Sequence, residues 1–360
     1  LISININMLN NNIAHNRTFK GNTMRQFGLF DYQKQLALLV KAGDPLIALN
    51  KMIDWEQFRS IIERAREKPR KSPAGPKGYD SILLFKILIL QSLYNLSDEA
   101  MEYQILDRYS FSRFLGISQG ARVPDATTIF RFRDELAKAG VIDLLFSTFD
   151  QFLHANGLRA QKNQIVDANI VRVPTQRNTR EENKDIKEGK SISSWSKAKK
   201  RQKDTDVRWT KKNGTSFFGY KNQVSIDVGH KFIRSYDVTD ASVHDSQVFT
   251  ELLDPSNTSR DVWADSAYRS DNSLTKLKQQ GFREHIQRKG CRQKKLTSRE
   301  QRGNRSRAKV RFRIEHVFGV MAMRTGSTVM RGIGIGRIKA KIVLRNMFYN
   351  MTRYAMLAGT

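Results

Sequence analysis

Near residue 158 the apolar residues of this chain change period, and no other feature constrains its fold as strongly. Before that point they recur at helical spacing, with one flank of each helix set aside for burial. FDYQKQLALLVKA and LIALNKMIDWEQFRSIIERARE, divided by a turn at Gly43-Asp44-Pro45, predict helices over residues 31–66. Residues 67–79, EKPRKSPAGPKGY, read as a basic linker. A helical pair follows over 80–117, its second member capped by Ser97-Asp98-Glu99. VPDATTIFRFRDELAKAG (123–140) opens a helix at Pro124-Asp125, and another covers 141–157. The most apolar stretch, ILLFKILILQSLYNL at 82–96, carries Lys86 and Gln91 and is too short to span a bilayer, so it predicts a buried core helix.

After residue 158 strands dominate. QIVDANIVRV (164–173) alternates, as do GYKNQVSIDV (219–228) and KFIRSYDVT (231–239), joined by a hairpin turn at Gly229-His230. HDSQVFTELL (244–253) predicts a short helix, and RDVWADSAY (260–268) a strand leaving into a loop. A helix over 271–281 closed by Gly281, a strand over 282–287 and helices over 306–323 and 337–357 complete the pattern. The expected fold is an all-α N-terminal domain (31–157) followed by an α/β domain (158–358) with a mixed five-stranded sheet and flanking helices. Residues 174–215 are polar and basic and predict a mobile insertion between the first two strands. The leader, residues 1–30, rich in Asn, reads as disordered or untranslated, with Met24 as a start.

Charge narrows the function. The net charge is +28 and the isoelectric point about 10.3, a field that attracts polyanions, with nucleic acid the usual partner and an acidic membrane surface the rival. The single cysteine, Cys291, excludes a disulfide framework and a cysteine-based zinc site. Against this basic background three acids stand out. Asp167 lies inside the strand IVDANIV, where a carboxylate gains nothing from burial. It is either an outward-facing edge residue or functional. Asp265 ends the strand in VWADSAY, either forming a turn or sitting where open α/β sheets place ligands. Glu315 lies in RFRIEHVFG, four residues after Arg311, and is either its ion-pair partner on a helix surface or a third ligand. Two acids on adjacent strands and one from a crossing helix can hold two divalent cations about 4 Å apart, with Mg²⁺ the preferred ion and Mn²⁺ an alternative.

Several ordered motifs carry a resemblance: PDATTIFRFRDEL, DTDVRWTKKNGTSFFGYKNQVSIDV, VTDASVHDSQVF, ADSAYRS, RFRIEHVFG and RNMFYNM. Across about Phe30 to Ala358 the sequence resembles DDE-type transposases of bacterial insertion sequences, specifically the insertion sequence five family and the related insertion sequence four family. The resemblance implies an RNase H-like catalytic core and a catalytic, metal-binding triad of Asp167, Asp265 and Glu315. The family's pattern around the glutamate runs Tyr, two residues, Arg, three residues, Glu, six residues, Lys. Arg311 and Glu315 keep their places, while Ala308 and Ala322 stand at the Tyr and Lys positions, with Lys309 or Arg324 as substitute cations.

DNA-binding candidates are Arg311, Lys309, Arg324, Tyr268, Arg269, Arg131, Arg133 and Trp209, the last suited to stacking on unpaired bases. Asp245 reads as a helix cap or, with His244, as a support for the metals. The expected activity is binding of the element's terminal inverted repeats, metal-dependent cleavage of the DNA ends and joining of the 3′-hydroxyl to target DNA. It implies double-stranded DNA as partner, a homodimer or larger assembly on DNA, no membrane, and a cytoplasmic, nucleoid-associated protein. The rivals are an inactive or repurposed DNA-binding protein and a plain RNase H-like nuclease.

Overall fold

The computed structural model describes residues 30–67, 78–118, 120–189, 195–212, 214–291, 295–325 and 329–359. The leader except Phe30, most of the basic linker and residues 190–194 of the insertion lie outside the described residues. By contact the chain divides between Gly43 and Asp44. The first unit holds helix α1 (Asp31–Lys41), with Asp31 in its first turn and Lys41 in its last, each complementing the helix dipole.

In the second unit seven helices precede the sheet: α2 (Pro45–Met52), α3 (Arg59–Arg66), α4 (Ser81–Tyr94), α5 (Asp98–Asp107), α6 (Tyr109–Leu115), α7 (Ala126–Lys138) and α8 (Ile142–Ala155). Their starts are chemically marked. Asp44 accepts from the Leu46 amide with Pro45 in the first turn, Asp80 accepts from Ile82 and Leu83, Ser97 caps α5 and Asp125 caps α7. Helix α4 is buried almost all round, as its unbroken apolar run requires, and ends at Asn95 in the left-handed conformation (φ 51°).

The sheet is built from β1 (Gln164–Arg172), β2 (Arg208–Lys212), β3 (Thr215–Asp227), β4 (Ile233–Asp240), β5 (Asp261–Ala264) and β6 (Arg283–Ile286). Five strands run in the order β4-β3-β1-β5-β6, antiparallel at β4-β3-β1 and parallel at β1-β5-β6. The sixth, β2, pairs with the N-terminal end of β3, so the sheet has one strand more than the five expected. That strand lies inside the expected mobile insertion, which also holds α9 (Arg180–Lys187) and α10 (Lys197–Gln202). A Thr179–Glu182 capping box starts α9, Lys199 pairs with Glu182, and Trp195 is buried. Local capping and pairing to β3 organise this segment despite its polarity.

Other expectations shift. Residues 244–253 form two 3-10 turns, Asp245–Gln247 and Phe249–Leu252, instead of an α-helix. The β3–β4 connection is longer than a two-residue turn, because the buried Asp227 carboxylate holds the amides of His230 and Phe232 and the Arg234 Nε. After α11 (Asp271–Gln279), closed by Gly281 at φ 73°, the long α12 (Ser298–Thr325) begins eight residues before position 306, where Thr297 and Glu300 bond reciprocally. Helix α13 (Ile335–Ala358) ends the chain and packs on α2, α4, α7, α8 and β4. One hydrophobic cluster runs from the N-terminal helices through β1, β3, β4, α12 and α13. The change of period near 158 falls inside the unit Asp44–Thr360. No described helix is long and apolar enough to cross a membrane.

Candidate active site

The parallel pairing of β1 with β5 sets the geometry. Gln164 stands opposite Val262 and Ile165 opposite Trp263, an offset of 98 (262 − 164). The same separation lies between Asp167 and Asp265 (265 − 167 = 98), which brings Asp265, one residue past the end of β5, toward Asp167 on the neighbouring strand. Side chains alternate across a sheet. Val166, Val262 and Ala264 enter the cluster on one face with Phe249 and Tyr268, while Ile165 and Trp263 pack on the face covered by α12. Asp167 and Asp265 share that second face. Helix α12 reaches it because Ile314, Val317 and Met321 are buried, which leaves Arg311 and Glu315 at its flank.

Arg311 ties the site together. Its Nη1 donates to Asp167 Oδ2 at 2.7 Å and its Nη2 to Glu315 Oε1 at 2.9 Å. Asp167 Oδ1 accepts from the Ala168 amide at 2.8 Å, and Asp265 Oδ1 from the Ala267 amide at 2.7 Å. The Asp167 side chain is only 12% exposed, whereas Glu315 is 48% exposed. Burial pushes the Asp167 carboxyl up to about 6; the Arg311 guanidinium opposes this shift and the Asp265 charge adds to it. Lys212, at the end of β2, also acts on Asp167 and favours its ionised form.

Carboxylate oxygens on two adjacent strands fit a hard divalent cation. The convergence is incomplete, however: among the described residues no group of three or more His, Cys, Asp or Glu side chains is arranged to hold a metal. Arg311 stands between Asp167 and Glu315, so these two acids share one guanidinium. The Asp167–Asp265 pair is the part of the set that suits a cation, with Glu315 across Arg311 from it.

The other candidates separate by exposure. Lys309 and Arg131 are exposed; Arg324 is exposed, with its guanidinium 6.0 Å from the Phe348 ring. Trp209, 50% exposed on β2, tilts against Phe218 with ring centroids 5.0 Å apart. Arg269 bonds Glu284 at 3.1 Å. Two candidates, Tyr268 and Arg133, are buried. Tyr268 is fully buried against Phe249, because the 3-10 turn after Asp265 (Ser266–Tyr268) folds it under the sheet. Arg133 is buried on the inner flank of α7, bonded twice to Asp98 at 2.7 and 2.8 Å and once to Gln91. The 3-10 turn at Asp245–Gln247 is capped by His244, while Asp245 pairs with Lys221 at 2.8 Å. Lys212 and Lys221 lie in the motif DTDVRWTKKNGTSFFGYKNQVSIDV, but their places beside Asp167 and Asp245 come from non-local strand pairing, which the motif does not reveal.

The family described as "Transposase DDE domain" matches residues 160–351, more than half of the chain. A second family, "Transposase domain (DUF772)", matches residues 34–135. A solved structure, the cryo-EM structure of a piggyBac transposase synaptic complex with hairpin DNA, is a distant likeness: 12% identity over 88% of this chain and 76% of that chain, with a TM-score of 0.43. On the match over residues 160–351, which spans the strands bearing Asp167 and Asp265 and the helix bearing Glu315, the chain belongs to the transposase DDE domain family.

Proposed function

We propose that this chain is a transposase of the insertion sequence five or four type, with an RNase H-like core, that cuts the ends of its element and joins them to target DNA. The observation that carries this is the approach of Asp265 to Asp167 beside Glu315, inside the matched DDE domain. In the proposed chemistry an attacking water breaks a phosphodiester at the element's end and frees a 3′-hydroxyl, which then displaces a phosphodiester oxygen of the target in line. Two divalent cations, Mg²⁺ or Mn²⁺, would supply activation of the attacking oxygen and stabilisation of the leaving one.

The residues of the chain do the rest. Asp167 in β1 and Asp265 at the end of the neighbouring inner strand β5 offer oxygens, with Glu315 on α12. Arg311 balances their charge. Lys309, Arg324, Arg269 and Arg131 suit contacts to the DNA backbone, and Trp209 suits stacking on an unpaired base. The N-terminal helices would bind the terminal inverted repeats, and joining two ends calls for a homodimer or larger assembly on double-stranded DNA in the nucleoid.

A second reading, a DNA-binding protein that does not cut, is favoured by Arg311 standing between Asp167 and Glu315. A labelled duplex bearing the element's terminal repeat, incubated with Mg²⁺ or EDTA, separates the two. Metal-dependent nicking by the wild type that disappears in Glu315→Gln supports the transposase; repeat-specific binding with no nicking by the wild type supports the alternative.

A further inference from the structure

A cleft of about 1160 Å³ opens between α4, α5, α7, the segment after β1 and the N-terminal half of α13. Seven Lys or Arg side chains line it against three acids, Asp98, Glu99 and Asp134. Two of those acids already have partners: Asp98 pairs with Arg133, and Asp134 with Arg337 and Lys138. Arg337, Lys341 and Arg345 follow one another at four-residue spacing, so they form a basic stripe along the flank of α13 that faces the cleft.

Lys341 Nζ donates to the Arg331 carbonyl at 2.6 Å, and Arg345 Nη2 to Asn95 Oδ1 at 3.2 Å. These acceptors are neutral. They satisfy a donor, while the acid whose charge reaches Lys341, Asp98, is already bonded twice to Arg133. The consequence shows in their acidity: burial lowers Lys341 to about 8, with Arg133 adding repulsion, and burial alone lowers Arg345 to about 10. An anion placed here would relieve both.

The cleft also reaches the strand that carries Asp167. Arg345 borders a small pocket shared with Asn169 of β1, Asn222 of β3 and Met321 of α12. Asn169 is two residues beyond Asp167 on the same face of β1, about 7 Å along the strand.

We infer that Lys341 and Arg345 form an oxyanion site that takes a phosphate group, carried by a DNA backbone or free in solution, next to the proposed active centre. The site rests on the transposase reading only for the DNA source of that phosphate.

Calorimetric titration of the full chain with pyrophosphate, and with a short single-stranded oligonucleotide, tests it. Arg345→Gln is compared with Arg64→Gln, which removes the same charge from an exposed position of α3. Arg345→Gln should weaken binding about tenfold or more and Arg64→Gln less than about twofold. Pyrophosphate displaced by the oligonucleotide supports a backbone site; pyrophosphate bound and not displaced supports a free-phosphate site. Equal losses in the two variants, or unchanged affinity for both ligands in a folded Arg345→Gln, would overturn the inference. Should that variant not fold, Lys341→Met takes its place with the same criteria. Because anion binding is read without cleavage, an inactive enzyme would sink the transposase reading and leave this one standing.

Discussion

Asp265, one residue past the end of β5, lies close enough to Asp167 on the neighbouring strand for its charge to be felt there. Replacing Asp265 with Asn removes a like charge from beside Asp167 and should lower the pKa of Asp167 from about 6 toward the ordinary carboxylate range. Carbonyl-region NMR or difference infrared titration of the metal-free protein reads this directly. The same variant should lose DNA cleavage by about a thousandfold or more, as members of a catalytic set do. An unmoved Asp167 titration would mean that the two acids are further apart than the register implies.

The raised Asp167 value also makes stability depend on pH. The unfolded chain releases this proton near 3.8 and the folded chain near 6, so its contribution is full below about 3.8 and is lost as pH rises through 6. In metal-free protein, Asp167→Asn should therefore melt close to the wild type at pH 4. It should be the more stable by pH 7, by on the order of 2–3 kcal/mol. Melting curves across that range check it; a difference independent of pH would refute burial as the cause. Added Mg²⁺ should narrow the gap, because a bound cation favours the ionised wild type.

Arg133 is a structural cation. Arg133→Ala leaves Asp98 buried without its partner and should cost about 3–5 kcal/mol of stability. Urea unfolding reads the loss, and DNA affinity per folded molecule should stay as it was. A stable variant with weakened DNA binding would return Arg133 to the DNA-facing set.

Trp209 presents the opposite case. Half exposed on β2, it should tolerate Trp209→Ala within about 0.5 kcal/mol of stability. If it stacks on an unpaired base, affinity for single-stranded DNA should fall by about 1–3 kcal/mol while duplex affinity changes little. Fluorescence anisotropy with both ligands decides it.

Much of this architecture is written locally. The caps at Ser97 and Asp125, the alternation of β1 and β3 and the apolar run of α4 each act within a few residues, and each appears where the chain predicts it. What the sequence conceals depends on partners far along the chain. RWTKK has no apolar alternation, yet it becomes β2 because β3 supplies the backbone partners. Nothing local tells that Tyr268 turns inward or that Arg133 meets Asp98. The separation of 98 between the two aspartates is countable at once, but it becomes a register only when β1 and β5 are known to be parallel neighbours. The metal-binding triad read from the motifs meets a guanidinium in its middle, a placement that Arg311–Glu315 spacing alone shows only in half.

The shortness of β5 gives the site an uneven tolerance of length changes. Between Arg172 and Asp261 the chain leaves β1, makes α9, α10 and three strands, and returns; residues added or removed in its loops leave the ladder between β1 and β5 untouched. Within Asp261–Ala264 there is no such slack. One extra residue there would slide every later position to the opposite side of the sheet, turning Asp265 into the apolar layer with Phe249 and Tyr268 and bringing a small hydrophobic residue to its station. Length changes in that insertion are therefore absorbed by its loops, while four residues of strand keep the acids in phase.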